Sequence, residues 1–224
     1  MDGSGYDVIL WDWNGTLLDD SLYGLSIINS MLRRRGLPEP SREEHGRLFD
    51  FPVILYYERL GFDFEKEPFE VISHEFVDTY FQNVNSCVLR EGTVEALGQI
   101  RDLGIRQSVL SASRQDNLER MISDYGLAGF FDELLGIDSI HAPGKSGRGC
   151  DWIRESGIDP ARVLLIGDTM HDAEVAAEMG IDGWMIEGGH HPMNRLKETG
   201  CPCFSSLPKI LQALAESRSK ASPL

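Results

Sequence analysis

The chain has 224 residues, 21 Lys plus Arg against 36 Asp plus Glu, and a formal net charge of −15. That length suits one domain or a core with a sizeable insertion, and that charge argues against wrapping nucleic acid or docking on anionic lipid. A hydrophobic content of 42% excludes disorder, no apolar run approaches the roughly 18 residues of a membrane span, and four cysteines make no disulfide framework. With no basic segment before the first apolar run, no signal peptide is expected, and the expected location is the cytoplasm.

Val8-Ile9-Leu10-Trp11 is a short apolar run and predicts a buried strand, with Asp12 to Thr16 at its carboxyl end. Leu18, Leu22, Leu25, Ile28 and Leu32 then step by three or four positions, a helical face that ends at Gly36 to Pro40. Ser41 with Glu43 and Glu44 opens another helix, and Phe69, Ile72, Phe76 and Tyr80 repeat the spacing. Residues 19–90 therefore read as helical, with loops at 49–52 and 61–68. After Gly92 the pattern alternates. Helices are expected at 93–103, 114–124, 148–156, 171–179 and 208–216, and strands at 106–110, 131–137, 162–166, 183–186 and 203–204. Such alternation predicts a parallel sheet with helices on both faces. The helical block is then an insertion after the first strand, and the tail from Ser217 is expected to fray.

Ligands of an open parallel sheet bind beyond the carboxyl ends of its strands. The first strand is followed there by Asp12, the second by Ser111-Ala112-Ser113, and the fourth by Gly167 to Asp172. Lys145 precedes the helix that feeds the fourth strand. Asp12, Asp168 and Asp172 suit a hard divalent cation, and Mg2+ takes one or two carboxylates with waters and phosphate. Ser111 is expected at a helix N-terminus, which suits phosphate oxygens. A carboxylate facing a phosphoryl group is a candidate nucleophile.

As a set, the Asp-x-x-Gly-Thr after a strand, the strand ending in Ser, the Lys, and the Gly-Asp-x-x-x-Asp resemble the four motifs of the haloacid dehalogenase superfamily. The subgroup they are most similar to is the phosphoglycolate phosphatase-like hydrolases. The resemblance implies a Rossmann-like α/β core over 1–18 and 91–224 with a helical cap over 19–90. It implies a small phosphorylated metabolite as substrate, Mg2+ as cofactor, and a monomer or weak dimer. By residue, it implies that Asp12 is nucleophile and metal ligand, and that Asn14 gives the metal a main-chain carbonyl. Thr16, Ser111, Ala112 and Lys145 would bind the phosphoryl group, Lys145 also orienting Asp12. Asp168 and Asp172 would complete the metal site.

The sequence departs from the family at Asn14. Phosphatases of the superfamily usually carry there a second Asp that protonates the leaving oxygen and activates water, whereas an amide does neither. Three readings stay open: a slow or leaving-group-limited phosphatase, a proton from elsewhere, or different chemistry. The last includes a phosphonate hydrolase that uses a cap lysine, for which Lys66 is the sole lysine in 19–90. A degenerate member that binds a phosphorylated ligand or partner without efficient turnover is the alternative class. The remaining clusters read more plainly. His171 with His190-His191 could suggest a transition-metal site, but His190-His191 after Gly188-Gly189 reads as a loop near the edge of the site. Cys201-x-Cys203 lacks a second pair for zinc, and Arg33-Arg34-Arg35 is a solvated helix end. Among Arg42, His45, Arg47 and Tyr56, Arg47 is the candidate substrate contact.

Overall fold

The structure is a computed structural model that describes residues 5–137 and 144–221. Its strands are β1 (Val8–Trp11), β2 (Leu18–Asp19), β3 (Val88–Leu89), β4 (Arg106–Arg114), β5 (Glu133–Ile137), β6 (Val163–Gly167), β7 (Asp182–Ile186) and β8 (Cys203–Phe204). Its helices are α1 (Ser21–Arg34), α2 (Arg42–Leu48), α3 (Val53–Arg59), α4 (Phe69–Asn83), α5 (Thr93–Asp102), α6 (Gln115–Asp124), α7 (Gly144–Ser156), α8 (Met170–Met179), α9 (Met193–Leu196) and α10 (Leu207–Ala221). Six strands form one parallel sheet in the order β5-β4-β1-β6-β7-β8. This is the expected parallel α/β core. Among the described residues, no helix is long and apolar enough to cross a membrane.

The central strands are apolar throughout because both of their faces are covered. Ile9 and Trp11 of β1 and Leu164 and Ile166 of β6 join the larger core, with α5, α10 and the helical block. Val8, Leu10, Val163 and Leu165 point the other way, into a smaller core with Trp152 of α7 and Val175 of α8. The period of two thus sorts one continuous apolar run into two layers. Trp11 pairs with both Val109 and Ile166, which sets Asp12 beside the end of β6 and beside the middle of β4, which runs on to Arg114. The chain leaves β1 toward β4 and β5, then returns to fill the other side with β6, β7 and β8. Asp12 therefore stands at the switch point where such sheets bind ligands.

Four helices, α1 to α4, lie between β2 and β3. Their entry and exit are an antiparallel pair, Leu18 with Leu89 and Asp19 with Val88, which the periodicity did not reveal. Leu18 is therefore in a strand, and Leu22 is 50% exposed, so the helical face is Leu25, Ile28, Met31 and Leu32 instead. The Ser41–Glu44 capping box opens α2 as expected. The arginines at the end of α1 are not simply solvated. Arg35 donates to Glu67 and Glu75 and lies over the Phe62 ring, and Arg34 pairs with Glu75, so this helix end is tied to α4 and the 61–68 loop. Helix α10 runs on to Ala221, past the point where fraying was expected.

Candidate active site

The backbone of β1 ends at Asp12, whose N–H donates to the Ile166 carbonyl at 2.9 Å. The next turn is closed by Thr16, Leu17 and Leu18, whose N–H groups all donate to the Trp13 carbonyl, and by Gly15 N–H to Leu18. The Asn14 carbonyl takes no part in that closure. Gly15 has φ +77°, and a side chain there would run into the Asp168 carboxylate. Glycine is thus required both by conformation and by close approach.

Asp168 follows β6 and is fully buried. Its Oδ1 accepts from the Thr16 hydroxyl at 2.9 Å and its Oδ2 from the His190 N–H at 2.6 Å. Asp172 sits in the first turn of α8, where it forms a reciprocal capping box with Thr169. Its Oδ2 accepts from the Thr169 N–H at 2.9 Å and hydroxyl at 2.6 Å. Lys145 bridges the group. Its Nζ donates to Asp12 Oδ1 at 2.5 Å and to Asp172 Oδ1. Lys145 lies in the first turn of α7 rather than in a loop before it, because the helix starts at Gly144. Every carboxylate oxygen of Asp168 and Asp172 is thus engaged. Among the described residues Asp12 Oδ2 accepts no hydrogen bond.

Asp12, Asp168 and Asp172 each place an oxygen within 4.8 Å of the others, and they are the group of metal-ligand type found among the described residues. Lys145 balances one of the three charges, leaving an excess that suits a divalent cation. The donor set, all carboxylate oxygen, suits a hard one. Burial pushes Asp12 up to about 8, an effect that Lys145 opposes and that Asp172 and Asp168 reinforce. Burial and then Asp172 push Asp168 up to about 7. Burial acts on Asp172 in the same sense, but the charge and hydrogen bond of Lys145 outweigh it and hold that carboxyl below its ordinary range.

The other expected site residues are placed less uniformly. Ser111 is buried and its Oγ accepts from the Ser113 N–H, but it does not stand at a helix N-terminus. Strand β4 continues through a register shift to Arg114, and α6 starts only at Gln115. Ala112 is exposed. The Thr16 hydroxyl is bound to Asp168, which makes it a support for that carboxylate. Arg42 and Arg47 are exposed on a cavity of about 1050 Å3 between α2 and the 187–198 segment, whose lining includes none of Asp12, Ser111 or Lys145. His45 and Tyr56 are buried partners, Nδ1 to OH at 2.7 Å, and His45 Nε2 meets His190 Nδ1 at 3.2 Å. Burial, then His190 and His191, push His45 down to about 3, so it is neutral near pH 7. Lys66 is exposed and paired with Asp63 at 2.8 Å, which holds its ammonium above the ordinary range and makes it a poor amine nucleophile. Among the described residues the histidines form no metal group, and Cys201 and Cys203 are free thiols.

Arg90, Asp20 and Tyr80 were given no site role from the sequence, and Ser113 only a place in the segment after the second strand. Arg90 follows β3 and donates to the carbonyls of Gly15, Thr16 and Glu187, pinning the turn after β1 to the loop after β7. Asp20, Tyr80 and Ser113 surround the Asn14 amide. Only the odd doublet Asp19-Asp20 before a helix hinted at any of them.

The pattern of the haloacid dehalogenase-like hydrolases matches residues 9–186. The chain is 24% identical over 189 residues to a phosphoglycolate phosphatase from Caulobacter vibrioides, covering 81% of this chain and 79% of that one. It is 26% identical over 217 residues to an N-acetylmuramic acid 6-phosphate phosphatase from Pseudomonas putida, covering 93% and 96%. A solved haloacid dehalogenase-like hydrolase from Streptococcus pneumoniae superposes with a TM-score of 0.81 at 19% identity, over 95% of this chain and 99% of that one. With Asp12 at the switch point, Lys145 against it, and the matching pattern running from β1 to β7, the chain belongs to the haloacid dehalogenase-like hydrolase family.

Proposed function

We propose that this chain is a divalent-cation-dependent phosphatase that hydrolyses a small phosphate monoester through an aspartyl-phosphate on Asp12. The observation that carries the reading is Asp12 Oδ2, which accepts no hydrogen bond among the described residues, beside a buried ammonium and two further carboxylates. The phosphatase names of the relatives support it. Asp12, Asp168, Asp172 and the Asn14 carbonyl would hold Mg2+, which would offset charge on the phosphoryl oxygens. Asp12 Oδ2 attacks phosphorus, and the P–O bond to the leaving group breaks. Lys145 holds the other oxygen of Asp12 and so aims the nucleophile. Water then attacks the phosphorus of the acyl phosphate, releasing phosphate and restoring the Asp12 carboxylate. The helical block 19–90 acts as a cap that excludes bulk water, and Ser111 binds a phosphoryl oxygen.

Since Asn14 carries no titratable proton, the leaving oxygen takes its proton from a water molecule held in the site rather than from position 14. Hydrolysis should therefore favour aryl over alkyl phosphates. Rates on one ester of each kind, with Mg2+ and with chelator, test the reading. Absence of Mg2+-dependent release of phosphate from the aryl ester would reject it. In that event binding of inorganic phosphate would favour the alternative, a ligand-binding member without turnover, for which Asn14 is the supporting feature.

The cation reading has a stability readout of its own. Asp12 and Asp168 have folded pKa values above their unfolded ones. Such a carboxyl stabilises the fold below its unfolded pKa, and that contribution is lost as pH rises through the folded value. Cation-free protein should therefore melt progressively lower as pH rises from the acid range to about 8. The gain in melting temperature on adding Mg2+ should grow over the same interval, because a ligand of the native state stabilises it. The Asp168→Ala variant should lose most of the gain. Equal shifts in variant and wild type would remove Asp168 from the metal site.

A further inference from the structure

We infer that Asp20 is a positioning residue of the nucleophile turn, and that it holds the Asn14 amide closed against the substrate side. The inference rests on the phosphatase reading for its kinetic part only. Asp20 is 3% exposed, and among the described residues no lysine or arginine forms an ion pair with it, the charge of Arg90 acting on it only at longer range. Its charge is met by hydrogen bonds instead. Oδ1 accepts from the Gly15 N–H at 2.7 Å, and Oδ2 accepts from Asn14 Nδ2 at 2.7 Å and from the Tyr80 hydroxyl at 2.5 Å. Helix capping does not account for it. Asp20 precedes α1 but makes no side-chain bond to that helix.

The consequences fall on Asn14. Its Nδ2 also donates to the Tyr80 oxygen at 2.9 Å, and its Oδ1 accepts from the Ser113 hydroxyl at 3.0 Å. Both amide hydrogens are then used, and no donor is left for a leaving oxygen. Tyr80 belongs to α4, so the clamp also ties the helical block to the turn that carries Asp12. Burial and the nearby Asp20 charge push the Tyr80 hydroxyl well above its ordinary range, so it remains a donor. The carboxylate absent two positions after the nucleophile is thus present at Asp20, hydrogen-bonded to the amide that stands in its place: the pair is transposed along the chain.

Transposition gives an outcome that a simple missing carboxylate would not. Asn14→Asp alone places two carboxylates where 2.7 Å now separates an N–H donor from its acceptor. Like charges at that separation cannot both ionise. The single variant should therefore melt lower and hydrolyse an alkyl phosphate no faster than wild type. Asp20→Asn alone should also melt lower, because Gly15 and Tyr80 then donate to a neutral acceptor. The double variant Asn14→Asp/Asp20→Asn restores one amide and one carboxylate, with the charge now at position 14. It should recover at least about 3 °C over the sum of the single shifts. It should also raise the alkyl-to-aryl ratio of kcat by about 10-fold or more, the range of a restored proton donor.

The experiment is the four-protein cycle, read by thermal melting and by kcat on one alkyl and one aryl phosphate, with Mg2+ throughout. Tyr80→Phe adds a milder probe. It should lower kcat several-fold in wild type and have little effect in the Asp20→Asn background. Additive melting shifts would overturn the pair whether or not the enzyme turns over. A double variant with the wild-type alkyl-to-aryl ratio would reduce Asp20 to a structural residue. Absence of turnover in all four proteins with coupled melting would reject the phosphatase reading and uphold the clamp.

Discussion

Asp12→Asn should leave a folded protein whose turnover is lower by roughly 10⁴- to 10⁶-fold, the cost of removing a nucleophile that acts in concert with its neighbours. The amide is nearly isosteric, so β1 and its contacts with β4 and β6 persist. What goes is the oxygen proposed to attack phosphorus and one charge of the proposed cation site. Lys145 keeps a carbonyl acceptor at position 12 and the Asp172 carboxylate on its other side. Stability should accordingly hold or rise in chelator, since one of three buried, mutually repelling carboxylates has gone. Loss of activity with an unchanged or raised melting temperature separates a chemical role from damage to the fold. Retention of more than roughly a tenth of wild-type turnover would place the nucleophile elsewhere.

The sequence disclosed most readily what is decided inside one element. β1 and β6 are buried on both faces, so they read as unbroken apolar runs, and the residues just past their ends follow at once. Asp172 was visible because it lies one turn into a helix opened by Thr169, a pattern of fixed spacing. Misreadings arose where tertiary pairing overrode local pattern. Leu18 continues the helical spacing of α1, yet pairing with Leu89 draws it into a strand. Ser111 follows an apolar run and precedes helix-forming residues, yet β4 extends past it beside β5 through a register shift. The clamp on Asn14 had no local signature. Tyr80 is 66 positions away and Ser113 is 99, and no periodicity encodes a contact between elements so far apart. Arg90 escaped for the same reason: its partners are main-chain carbonyls 74 to 97 positions distant.

Replacing Lys145 should have the largest effect on stability. Its side chain is only 2% exposed and lies between the carboxylates of Asp12 and Asp172. Methionine is of similar length and carries no charge, so Lys145→Met tests the ammonium with little change of volume. Removing one member of a buried ionic group leaves its partners uncompensated and costs about 3–5 kcal/mol. For a chain of this size that is a fall of roughly 10 °C in melting temperature. The pH dependence follows from Asp172. Its folded pKa lies below the ordinary carboxylate range because Lys145 outweighs burial, so its stabilising contribution is present above that range and lost in acid. Without Lys145 that contribution disappears, and Asp12 loses the one group opposing its upward shift. The deficit of the variant should therefore be greatest at neutral and higher pH and should shrink as the carboxyls become protonated. Mg2+ should restore a larger share of the melting temperature in the variant than it adds to wild type, because the cation then meets a more negative site. Melting curves in chelator and in Mg2+ across that pH range decide the matter. A variant that melts like wild type in chelator at neutral pH would mean that Lys145 is not holding the carboxylates together.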